Sequence, residues 1–177
     1  MPLYFAYGLN MDRAGMAERC PAAKPLGPAR FPRHRFIVTT DGYASAIRDP
    51  REEVHGVLWD CSLGDIRALD KFEELASGLY VKLHQPVIVP GGAKRALIYI
   101  GRSGTTGRAR PGYMEAVLAA AKAWALPDAY IASLNRFVSG PALEPKAAPA
   151  KEDLPAGPVK GVRPRAMAPS NARPVEG

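Results

Sequence analysis

The sequence predicts an α+β fold, a mainly antiparallel sheet able to close into a small barrel, with flanking helices. Three observations carry this. The elements run as strands, a short helix, more strands, then two helices. Tight-turn residues join neighbouring strand signals at Asp41-Gly42 and Pro90-Gly91-Gly92. The regular strand–helix alternation of a parallel sheet is missing.

Leu3-Tyr4-Phe5-Ala6-Tyr7 is a short aromatic strand, and Gly8 ends it in a tight turn. Asp12 is a suitable N-cap for a short helix that stops before Pro21. Residues 21–33 contain four prolines and are expected to form an irregular connection. Residues 35–40 and 43–47 read as a hairpin, and residues 53–59 as a further strand around Val54, Val57 and Trp59.

Ser62 and Asp65 have capping-box spacing. Leu63, Ile66, Leu69 and Phe72 follow one helical face after them and lead to Glu73. Residues 79–89 and 95–100 are strong strand signals joined by a glycine turn. Met114, Val117, Leu118, Ala121 and Ala125 then mark one face of a helix. Ile131, Leu134, Phe137 and Val138 mark one face of a second.

A chain of 177 residues suits one domain, and 47% hydrophobic with 23% charged residues is an ordinary globular balance. No apolar run is long enough for a helix to span a bilayer. The first ten residues lack a signal-peptide layout, and Cys20 and Cys61 form no disulfide framework, so the cytoplasm with reduced thiols is expected. Composition shifts at Ser139-Gly140-Pro141. The 37 residues after Gly140 hold eight of the 18 prolines and no aromatic residue. Such a segment buries too little apolar surface to offset its ordering entropy, so residues 1–140 are expected to fold and 141–177 to form a disordered Pro/Ala-rich tail. The net charge of +7 divides into +5 for the body and +2 for the tail, which gives no polybasic arm. A solvated basic surface is the simpler reading; nucleic acid is the lesser one.

His34, His55 and His84 are scattered, and none has metal-ligand spacing with a Cys, His or carboxylate. No G-x-S-x-G nucleophile elbow occurs, and neither cysteine has a local cue for a lowered pKa. The segment 101–108 is rich in glycine and arginine but lacks the spacing of either phosphate-binding motif, so it reads as a connector whose arginines are able to meet phosphate.

Two segments point to chemistry. In Tyr7-Gly8-Leu9-Asn10-Met11 a strand runs through a glycine turn directly into a helix start. Backbone N–H groups at such a junction attract anions, although ordinary junctions look the same. Leu69-Asp70-Lys71-Phe72-Glu73-Glu74 places acids at a helix C-terminus, where they oppose the dipole.

Together these segments resemble the gamma-glutamylcyclotransferase-like family. Its members show a strand ending in Y-G-S-N-[LM], a glutamate after a short helix, and a G-[LM]-Y strand start. Here residues 3–11, residues 69–73 and Gly78-Leu79-Tyr80 carry those three features. Val54-His55-Gly56-Val57-Leu58-Trp59 is similar to the family's V-x-G-x-x-[WY] strand, and Tyr113 opens the penultimate helix. The resemblance covers nearly all of residues 1–137 in order and omits the tail.

The resemblance implies a small closed, mostly antiparallel β-barrel with flanking helices and no cofactor. It implies cyclisation of a gamma-glutamyl amide to 5-oxoproline with release of an amine, by a monomer or homodimer. Glu73 takes the position of the catalytic acid/base, with Glu74 as its rival. Tyr7, Gly8, Leu9 and Asn10 match the substrate-cradling loop, and Tyr80 and Tyr113 match pocket tyrosines, with Tyr99 a further candidate. Leu9 departs from the family's serine, which bears on substrate identity more than on reaction type. The alternatives are the same fold acting on a specialised gamma-glutamyl pathway intermediate, and a non-catalytic basic binding module.

Overall fold

The computed structural model describes residues 1–73 and 75–138, all within the unit Met1–Pro145. Glu74 and the expected tail of 141–177 lie outside the described residues. Among the described residues there are five strands, β1 (Leu3–Ala6), β2 (Lys24–Val38), β3 (Ala44–Asp60), β4 (Tyr80–Val89) and β5 (Gly92–Gly101). They close into a barrel in the order β1-β3-β2-β4-β5. Four of the five junctions are antiparallel; β1 and β5 run parallel and meet at Tyr4 and Leu97. Among the described residues four α-helices accompany it, α1 (Arg13–Arg19), α2 (Leu63–Phe72), α3 (Tyr113–Ala123) and α4 (Asp128–Leu134).

Two helix starts form as their residue types dictate. The Asp12 carboxylate accepts the Gly15 N–H at 2.7 Å and caps α1. Ser62 and Asp65 exchange both bonds of a capping box at the start of α2. Of the predicted face of α2, Ile66 and Leu69 are buried. Leu63 is 71% exposed because it stands in the first turn, ahead of the packed surface, and Phe72 is also exposed. The predicted core residue Ala125 lies beyond α3, exposed and at φ 49°. Its N–H and that of Leu126 bond back to Lys122 and Ala121, so it closes the helix in a Schellman arrangement.

Of the proline-rich stretch predicted as irregular, residues 24–33 are instead the first two thirds of β2. Its pairing with β3 shifts register between Pro25 and Gly27 and between Pro32 and His34. Gly27 and Arg33, the latter at φ 59°, take up the left-handed backbone of those two bulges. On its other edge β2 meets β4 at the pair Arg30 and Ile88, so prolines that donate no hydrogen bond are tolerated there. The strands predicted at 43–47 and 53–59 are one 17-residue strand, β3. The polar link between them is largely exposed and held by charge, Asp49 lying 3.7 Å from both Arg35 and Arg51.

Phe5, Phe31, Val54, Val57, Leu58 and Ile98 fill the core with Met114, Val117 and Leu134 from the helices. Gly56 explains the glycine of the V-x-G-x-x-W segment. A Cβ there would meet the Ala6 carbonyl and, at 2.8 Å, the Phe5 ring. β1 lies against β3 too closely for any side chain at that point.

Candidate active site

A cavity of about 310 Å³ opens where the end of β1, the end of α2 and the starts of β3, β4 and α3 converge. That volume suits a small molecule. Every site residue predicted from the sequence lines it: Glu73, Tyr7, Gly8, Leu9, Asn10, Tyr80 and Tyr113, as does Tyr99.

Glu73 is the C-cap of α2, and its N–H bonds to the Leu69 carbonyl at 2.8 Å. The helix therefore ends by delivering a carboxyl group into the cavity wall, against its own dipole. Burial pushes the Glu73 carboxyl up to about 7, and the Arg19 guanidinium pulls the other way. Oε1 accepts a hydrogen bond from Asn10 Nδ2 at 2.8 Å. The same amide donates to the Tyr4 hydroxyl at 3.0 Å, and its oxygen accepts from Arg19 Nη1 at 2.7 Å.

Residues 9–11 form a single 3-10 turn, with Met11 and Asp12 N–H groups bonded to the Gly8 and Leu9 carbonyls. The N–H groups of Leu9 and Asn10 precede the first such bond and have no partner within the turn. Trp124 Nε1 donates to the Met11 carbonyl at 2.7 Å and fastens the turn to the end of α3. Gly8 is packed so that a Cβ would lie 2.9 Å from the Tyr113 hydroxyl.

The tyrosines are tied to the barrel backbone. Tyr80 donates to the Ala44 carbonyl at 2.8 Å, and Tyr113 accepts the Ala44 N–H at 3.0 Å, so both grip the first residue of β3. Tyr7 donates to the Tyr99 carbonyl at 2.6 Å. The Tyr99 hydroxyl donates to Asp70 at 2.6 Å, and Lys82 pairs with the same carboxylate at 2.7 Å. Burial raises the pKa of Tyr4, Tyr7, Tyr80, Tyr99 and Tyr113, so all remain neutral at physiological pH.

Several participants carried no readable signal. Arg19 is one basic residue near the end of a short helix, Ala44 contributes only its backbone, and Asp70 acts on Tyr99 from another element. Tyr4 was legible only as a strand aromatic, and strand alternation could not single it out because Tyr4, Phe5, Ala6 and Tyr7 are all buried.

Other candidates resolve differently. Cys20 and Cys61 are buried, and burial pushes their thiols up to about 11 and about 12, so both are protonated at neutral pH. His34 stacks on Phe31, and His55 pairs with Glu53 at 3.1 Å. Among the described residues no group of three or more His, Cys, Asp or Glu could hold a metal ion. No helix among them is long and apolar enough to cross a membrane. In the 101–110 loop, Arg102 and Arg110 each donate Nε to a backbone carbonyl, that of Gly78 and that of Asp41.

A model of the AIG2-like family matches residues 53–134. Human gamma-glutamylcyclotransferase is 27% identical over 139 residues, 72% of this chain and 74% of that protein. The bovine gamma-glutamylcyclotransferase is 33% identical over 95 residues, 48% of this chain and half the length of that protein. A solved gamma-glutamyl cyclotransferase superimposes with a TM-score of 0.72 at 25% identity, covering 81% of this chain and 94% of that one. YkqA from Bacillus subtilis shares the fold, with a TM-score of 0.67 at 24% identity over 76% of this chain and 53% of its own. In sequence and in barrel architecture alike, the chain is similar to gamma-glutamylcyclotransferases.

Proposed function

We propose that the protein is a gamma-glutamyl cyclotransferase, converting a gamma-glutamyl amide to 5-oxoproline and a free amine with Glu73 as general acid and base. The observation that carries this reading is a carboxyl group with a pKa of about 7, held by Asn10 in the wall of a tyrosine-lined cavity. The similarity to proteins named gamma-glutamylcyclotransferase supports it.

The substrate's own α-amine attacks its γ-carbonyl, so folding the glutamyl chain into an attacking geometry is much of the task. Such an amine has a pKa of about 7.7–8.0 and needs to lose a proton to form the new C–N bond. Glu73, poised at about 7, takes that proton. The tetrahedral intermediate then breaks its bond to the departing nitrogen, which receives the proton from Glu73. The second proton left on the ring nitrogen passes by way of the same carboxylate to the released amine, which leaves as an ammonium ion. No water is consumed and the carboxylate is regenerated. The N–H groups of the turn at residues 8–10 hold the substrate carboxylate or the developing oxyanion. The neutral tyrosines shape the cavity and exclude water.

Leu9 favours a second version of the same reading, a specialised gamma-glutamyl intermediate as substrate. It lines the cavity with an aliphatic side chain where the family has a hydroxyl. The experiment for both is a panel of gamma-glutamyl amino acids, gamma-glutamyl amines and glutathione, with 5-oxoproline release as the readout. Turnover of any member supports the reaction, and the best amine separates the two versions. No turnover across the panel contradicts the general reading.

A further inference from the structure

We propose that Arg19 and Asn10 form a positioning relay that holds the Glu73 carboxylate at the cavity wall, Arg19 acting through Asn10 and not on substrate. The catalytic half of this inference rests on the proposed cyclotransferase activity; the geometric half does not.

Hydrogen-bond polarity fixes the arrangement. A guanidinium has only donors, so the atom of Asn10 facing Arg19 Nη1 at 2.7 Å is the amide oxygen. The amide nitrogen is then turned the other way. Its two protons go to Tyr4 Oη at 3.0 Å and Glu73 Oε1 at 2.8 Å. Asn10 is 3% exposed, so no solvent competes for these bonds. With Oε1 engaged as an acceptor, Oε2 is the carboxyl oxygen able to carry the catalytic proton without breaking the bond to Asn10. A positive charge on the far side of the amide also strengthens its donation toward the carboxylate.

Arg19 is itself placed by the fold. Its guanidinium stacks on the Phe72 ring at 4.2 Å, one residue before Glu73. It also lies across the start of its own helix. A Cβ at Gly15 would stand 2.9 Å from Nη2 and 3.1 Å from Nη1, so the missing side chain there is the space Arg19 occupies. Arg19 joins the wall of a neighbouring groove beside Leu9, while Asn10 stands between it and the catalytic cavity.

Among the described residues, the groups that act on Glu73 from the surrounding elements are Tyr4, Tyr7, Tyr80, Tyr99 and Tyr113, all neutral, and Arg19, which favours the ionised carboxylate. Removing Arg19 therefore frees the orientation of Asn10 and withdraws the charge that opposes desolvation.

The test is a carboxyl-carbon NMR titration of the full chain labelled at glutamate, with the Glu73 signal assigned by its loss in Glu73→Gln. Arg19→Gln, Arg19→Lys and Gly15→Ala are measured beside wild type, and kcat and KM are followed on the best panel substrate. Arg19→Gln is expected to raise the titration midpoint of Glu73 and to lower kcat about tenfold or more, with KM changed less than about twofold. Arg19→Lys restores part of both effects. Gly15→Ala displaces the guanidinium without removing it and moves both readouts the same way by less. A midpoint unmoved in Arg19→Gln overturns the relay. So does unchanged kcat with raised KM, which would make Arg19 a substrate contact. If wild type turns over no gamma-glutamyl compound, the cyclotransferase reading falls, and the NMR midpoint still decides the relay.

Discussion

Asn10 and Glu73, from a turn after the first strand and the end of the second helix, meet through a 2.8 Å hydrogen bond in the cavity wall. This contact joins the two segments whose residue types pointed to chemistry.

The pH dependence of activity follows from Glu73. Its carboxyl titrates at about 7, and the proposed step requires the ionised form to accept the amine proton. The kcat/KM of the enzyme should therefore fall as pH drops through about 7, approaching tenfold per unit below it. A profile from pH 5.5 to 8.5 checks this, and a flat profile through that range argues against Glu73 as the base.

Stability should show the same group with the matching sign. The folded-state pKa of Glu73 lies above its ordinary value of 4.5, so the folded chain holds this proton more tightly than the unfolded chain. Its contribution to stability is fully present below about 4.5 and is lost as pH rises through about 7. Glu73→Gln, which keeps the neutral shape, should be more stable than wild type above pH 7 by about 1–3 kcal/mol. That advantage should shrink as pH falls toward 4.5. Denaturant melts at pH 4.5 and 8 measure the difference.

Two glycines test the packing that places the site. Gly56→Ala drives a methyl group into the Ala6 carbonyl and the Phe5 ring, with no flexible side chain to give way. It should cost about 3 kcal/mol or more, beyond the usual range for overpacking, or prevent folding. Gly8→Ala puts a methyl group 2.9 Å from the Tyr113 hydroxyl and should loosen its bond to Ala44. Activity should fall in that variant with a smaller loss of Tm than in Gly56→Ala, as activity assays beside thermal melts will show.

Trp124→Phe removes the donor to the Met11 carbonyl and leaves that acceptor buried beneath the turn. The expected cost is about 1–3 kcal/mol. A raised KM would accompany it if the turn holds substrate. Chemical denaturation and steady-state kinetics on one preparation separate the two effects.

The legible parts of the fold were those decided by local chemistry. Asp12 and the Ser62 and Asp65 pair cap helices because their side-chain oxygens reach backbone N–H groups within a single turn. The turn at Gly91 and Gly92, both at positive φ, joins β4 to β5 as their residue types require. The barrel closure was carried by the family resemblance. It rests on the parallel meeting of Tyr4 and Leu97, a distant pair with no local signature. The prolines of β2 misled the reading because proline marks a missing donor without revealing that a bulged strand tolerates its absence. Glu73 and the loop at residues 7–10 stood out by their resemblance to the family. Arg19 did not, since its place depends on the Gly15 gap, the Phe72 ring and the orientation of Asn10, all set in three dimensions.

The most direct measurement is the rate of 5-oxoproline release by wild type and Glu73→Gln on the best gamma-glutamyl substrate at pH 7.5. Loss of about 10²–10⁴-fold in kcat, with the variant folded by circular dichroism, is the predicted result for a general acid and base. A folded variant that keeps wild-type turnover would contradict the assignment of the chemistry to Glu73.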